Sequence, residues 1–128
     1  MEPMDLNGGR FYARKLTSDN RIDDVPALSL IRPDASEFIA GAADAWHEDR
    51  EYTWAICEQT SVELLALARL DLKKRTLDVL PAGDLDTQLP NDPVLAPKTI
   101  GDAVLEGRDT IIRWAEGFLG LNLADKSH

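Results

Sequence analysis

The 128-residue chain carries 23 acidic and 14 basic side chains, a formal net charge of −9, with 44% hydrophobic and 29% charged residues. That size suits one domain able to bury its own core. The negative field excludes nucleic acid and anionic membrane surfaces as partners, and it favours cationic ones such as amines or basic protein surfaces. No apolar run is long enough to cross a bilayer and the opening "MEPMDLNGGR" is acidic, so the expected location is cytoplasmic. Cys57 is the sole cysteine and lies in the apolar run "TWAIC", which makes it a small buried hydrophobe rather than a nucleophile. His47 and His128 are the only histidines, so no metal site is expected.

Residues 1–9 read as a flexible lead. "RFYARKL" (10–16) alternates large apolar with basic side chains, the pattern of a half-buried strand. Turn residues follow, then a short helix from Ile22 to Ile31, ended by Arg32-Pro33. The next helix opens with Asp34 as cap and Glu37 as its reciprocal partner, and it sets Phe38, Ile39, Ala42, Ala43 and Trp46 on one face. His47 sits at its charged end.

"EYTWAICE" (51–58) places Tyr52, Trp54 and Ile56 on one side and Thr53, Ala55 and Cys57 on the other, as a strand does. "VELLALARLDL" (62–72) has the composition of a helix but the position of a hairpin arm; the strand is the reading taken. "TLDVLP" (76–81) continues the meander. Residues 81–97 hold four of the seven prolines and are expected to form a long irregular loop. From Gly101 the pattern is helical, with Val104, Leu105, Ile111, Ile112, Ala115, Phe118 and Leu119 as its apolar side and Gly120 as its stop. "LNLADKSH" is an extended tail or a last strand. This order of elements predicts an α+β (mixed α/β layer) fold, an antiparallel meander with helices packed on its faces.

Two stretches carry a family likeness. "SEFIAGAADAWHEDREYTWAICEQTSVELLALARL" together with "RFYARKLTSDN", and "LEGRDTIIRWAEGFLGL" (105–121), resemble the GNAT superfamily of acetyl-CoA-dependent N-acetyltransferases, in particular the branch that modifies protein N-termini or small amines. The resemblance implies a partial GNAT-like fold, acetyl-CoA as cofactor and an amine as acceptor. It also implies a pyrophosphate held at Q/R-x-x-G-x-G/A, which Lys98, Gly101 and Ala103 match in spacing. A helix start suits that task because its first N–H groups are unpaired and its dipole is positive there.

Counted back from Trp114, however, the family's first glycine falls at Asp102, a residue that repels phosphate and caps a helix well. The family's further strands would also lie beyond His128, and neither Tyr12 nor Tyr52 matches its tyrosine general acid. Glu58 and Glu63 are the candidate bases. Two functions are therefore expected: acetyl transfer to an amine through a degenerate cofactor loop, or a non-catalytic acidic interaction module on the same scaffold. In the second case a truncated sheet edge would invite a basic protein or a second copy of the chain.

Overall fold

In the computed structural model, residues 1–90 and 94–124 are described. Five antiparallel strands form one sheet in the order β1-β2-β3-β4-β5: β1 Leu6–Asn7, β2 Phe11–Arg14, β3 Glu51–Glu58, β4 Ala66–Asp71 and β5 Thr76–Pro81. Helices α1 (Val25–Leu28) and α2 (Ala35–His47) fill the connection from β2 to β3, and α3 (Ile100–Gly117) follows β5. The α+β layered meander expected from the pattern is the fold observed, and "VELLALARLDL" supplies a strand. No described helix is long and apolar enough to cross a membrane.

Alternation along β3 divides the core. Trp54 and Ile56 join Ala68, Leu70 and Leu77 under α3, while Ala55 and Cys57 join Leu67, Leu28 and Ala42 under α1 and α2. Trp46 closes the end of the sheet. Its ring stacks on Tyr52 at 4.2 Å and meets Trp54 edge-on at 5.1 Å, and its indole N–H donates to the Thr53 carbonyl.

Several expectations need correction. The lead contains β1, Leu6 is buried, and the Met4 carbonyl accepts from the Trp54 indole at 2.8 Å. α1 is a single turn rather than ten residues. The Asp34 side chain makes no cap bond to α2; it forms a two-point pair with Arg32 instead. On α3 the buried face is Ala103, Gly107, Arg108, Thr110, Ile111 and Ala115, whereas Leu105 and Phe118 are exposed. Ala103, Gly107 and Ala115 on this face let the helix lie close to the sheet. A Cβ at Gly107 would come within 2.9 Å of the Ile56 side chain. Residues 121–124 form no strand, and 125–128 lie outside the described residues.

Both sheet edges are guarded. β1 is two residues long. Ala82 N–H donates to Leu65 O, so the β4–β5 register turns residues 76, 78 and 80 towards β4 and residues 75, 77, 79 and 81 outward. Of the outward groups, Arg75 O accepts from Ala124 N–H, Leu77 O accepts from Arg108 Nη1 at 3.0 Å, and Pro81 has no N–H to offer. Such features oppose strand pairing at an edge.

The α1 side is pinned by a buried ion pair. Arg14 Nη1 and Nη2 donate to the two Asp24 carboxylate oxygens at 2.8 and 2.7 Å, and both side chains are buried. Arg14 Nη2 also donates to Val62 O and Nη1 to Lys15 O, while Asp24 accepts from Thr17 N–H. Burial works against the guanidinium charge, but the Asp24 carboxylate outweighs it and holds the Arg14 pKa above its ordinary value. Arg14→Met or Asp24→Asn alone is expected to lower unfolding free energy in urea by about 3–5 kcal/mol, and the double change Arg14→Met/Asp24→Leu by clearly less.

Cys57 lies beneath the same pair. Burial is the main cause that pushes its thiol up to about 11 from an ordinary 9.0. A pKa raised by folding gives stability that is complete below the unfolded value and fades as pH rises towards the folded one. Stability relative to a Cys57→Ala variant should therefore be constant below pH 8 and decline between about pH 9 and 11, as followed by urea unfolding.

Candidate functional site

The segment after β5 doubles back on the start of α3. Leu89 N–H donates to Lys98 O at 2.9 Å and Ile100 N–H to Thr87 O at 3.0 Å, so residues 87–89 run antiparallel to 98–100. One residue further on, Gly101 N–H donates to Leu85 O at 2.9 Å. A Cβ on Gly101 would stand 3.1 Å from that carbonyl, so the glycine lets the loop approach closely. Asn91, Asp92 and Pro93 of this loop lie outside the described residues.

Thr99 caps α3. Its backbone is extended, its hydroxyl oxygen accepts from Asp102 N–H at 3.2 Å, and the Asp102 carboxylate accepts from Thr99 N–H at 2.9 Å. Ala103 N–H donates to Thr99 O. Every N–H of the first turn, from Ile100 to Ala103, thus has an acceptor within the chain. This reciprocal cap has a local signature in the sequence, T-x-x-D from Thr99 to Asp102, which overlaps the Lys98–Gly101–Ala103 spacing.

The three residues matched to a pyrophosphate cradle are placed as follows. Lys98 donates to Glu106 at 2.8 Å, and that carboxylate raises the lysine pKa. Gly101 faces Leu85 O, and Ala103 is fully buried against the sheet. A diphosphate requires free N–H donors and an unneutralised cation. This turn presents filled donors, a paired lysine and the carboxylate of Asp102, so as folded it does not fit the group.

The two candidate carboxylates are separated. Glu58 is buried at the end of β3 and receives Arg10 at 2.7 Å, while Arg10 also donates to Ala96 O and so ties the loop to the sheet. Its carboxylate is committed to that pair rather than free to act as a base. Glu63 is exposed on the rim of a cleft of about 540 Å³ between α1, the β3–β4 connection, Ala82 and Ile100. The walls are largely apolar, with Leu30 and Val62 exposed at the mouth. The Arg14–Asp24 pair holds two of those walls, since Asp24 begins α1 and Val62 O accepts from Arg14. Among the described residues no group of three or more His, Cys, Asp or Glu is placed to hold a metal ion.

No family model matches the sequence, and no curated protein matches it. A solved structure does match: that of a Vibrio cholerae protein provisionally described as a ribosomal-protein-serine acetyltransferase. The superposition has a TM-score of 0.63 and covers 94% of this chain and 72% of that one, at 15% sequence identity. At that identity the likeness is one of fold. The chain has a GNAT-like fold, with the α3 start in the closed form described above.

Proposed function

We propose that this chain is a binding protein on an acetyltransferase-like scaffold, acting on cationic partners rather than transferring acetyl groups. The carrying observation is the closed α3 start: Leu85 O, Thr87 O, the Thr99 hydroxyl and Thr99 O occupy the donors that a cofactor phosphate would need. The net charge of −9 supports a basic protein or amine as the partner and repels a polyanionic cofactor.

A second reading, acetyl transfer from acetyl-CoA to an amine, is favoured by the fold likeness and by the cleft bearing Glu63. It requires Leu85 and Thr87 to leave the α3 start, and Lys98 to leave Glu106, before Lys98, Gly101 and Ala103 meet a phosphate.

Calorimetric titration with acetyl-CoA at low and moderate salt separates the two. The binding reading expects no saturable heat and no thermal-shift stabilisation at millimolar cofactor. Saturable heat abolished by Lys98→Ala would overturn it in favour of transfer. Thr99→Ala provides the companion measurement of the cap: a stability loss of about 1 kcal/mol in urea, as for other capping hydroxyls. A loss near zero would mean that the cap does not hold the turn closed.

A further inference from the structure

Of the four asparagines in the chain, only Asn7 is followed by glycine. A backbone nitrogen can attack the side-chain amide carbon of the residue before it, and glycine, with no side chain, hinders that attack least. Packing demands the glycine here, because a Cβ at Gly8 would collide with Thr110 Oγ1. The Asn-Gly step is thus fixed at this place in the fold, and Asn7 is exposed in the edge strand β1.

The carbonyl of the Asn7 amide is already held as the reaction requires. Its Oδ1 accepts from Gly9 N–H at 3.0 Å and from Gln59 Nε2 at 2.6 Å. Attack on Cγ moves negative charge onto this oxygen, so two donors stand where the charge develops. The nucleophile, by contrast, is restrained. Gly8 N–H donates to Phe11 O at 3.0 Å, and Asn7 is paired antiparallel with Tyr12. Both restraints depend on β1, which is two residues long and pairs only with β2. A short edge element opens at a lower free-energy cost than the whole fold.

We propose that Asn7–Gly8 is a self-modification site whose reaction is gated by the opening of β1. Released from Phe11 O, Gly8 N bonds to Asn7 Cγ and the Cγ–Nδ2 bond breaks. Nδ2 leaves as ammonia with the proton that Gly8 N gives up, and a succinimide ring remains. Water then opens the ring at either carbonyl, leaving aspartate or isoaspartate at position 7. The isoaspartyl form routes the main chain through the side-chain carbons and adds a methylene to it. That shift breaks the pairing of Leu6 with Ala13 and of Asn7 with Tyr12, so Leu6 leaves the core and Met4 O leaves the Trp54 indole. The step is one-way, and it undocks the N-terminal lead without touching the α3 start or the Glu63 cleft.

The experiment incubates the full chain in mildly alkaline buffer and follows position 7 by peptide mapping with isoaspartate detection. The proposal expects aspartyl and isoaspartyl products at Asn7 and none at Asn20 or Asn122, at a rate well below that of the same chain in urea. Leu6→Ala, which loosens β1, should raise the rate in the folded chain about tenfold or more. Asp24→Asn, which weakens the fold on the α1 side, should leave that rate unchanged. In the isolated isoaspartyl product the Trp54 indole N–H should exchange with solvent faster than in the parent. Absence of product in the folded chain, a folded rate equal to that in urea, no acceleration by Leu6→Ala, equal acceleration by Asp24→Asn, or an unaltered Trp54 indole would each overturn the proposal.

Discussion

The pair formed by Arg14 and Asp24 is the contact on which the α1 side of the molecule depends. Taking both charges out of water costs several kcal/mol per ion. That cost is met because the two groups meet face to face and Arg14 Nη1, Arg14 Nη2 and Asp24 also bond the backbone of Lys15, Val62 and Thr17, which leaves only Arg14 Nε of the pair unmatched among the described residues. Three segments, β2, the start of α1 and the β3–β4 connection 48 residues on from Arg14, are thereby fixed to one another. The Glu63 cleft is a consequence of this, since two of its walls are the segments that the pair joins.

A second constraint works on the opposite face. Gly107 lets α3 settle against Ile56, and Ala103 and Ala115 allow the same close approach along its length. Once the helix is held that near the sheet, Arg108 reaches Leu77 O at the β5 edge and the helix start lands beneath the returning loop. The closed first turn then follows from packing as much as from local sequence. Thr99 fills the Asp102 and Ala103 donors, and the loop supplies Leu85 O and Thr87 O to those of Gly101 and Ile100.

Much of the fold is legible in the residues. Alternation in "EYTWAICE" gives both the strand and its two faces, and the α+β order follows from strands, helices and turns in sequence. What misleads is size taken as a proxy for burial. On α3 the large apolar residues Leu105 and Phe118 point to water, while glycine, alanine and even Arg108 face inward. Periodicity locates a helix but cannot say that it packs closely enough to require small side chains. The helix start shows a similar limit. T-x-x-D is a local signal and is present in the sequence, whereas the carbonyls of Leu85 and Thr87 arrive by tertiary folding and have no side-chain signature. Glu58 is opaque for the same reason, because its partner Arg10 is 48 residues away and meets it only through the β2–β3 pairing.

Polar groups are handled differently on the two faces of the sheet. Around α3 and the β5 edge the chain answers its own needs: carbonyls meet first-turn N–H groups, a guanidinium meets an edge carbonyl, and a proline stands where a donor would face outward. Under α2 the buried Thr53 hydroxyl has no hydrogen-bond partner among the described residues. The other unmatched buried side-chain nitrogens have a different standing. Those of Arg14 and Arg108 belong to groups that bond elsewhere, and that of Trp114 lies in a cluster of aromatic rings. Valine would fill the volume of Thr53 without an unmet hydroxyl, so packing alone does not explain threonine at this position.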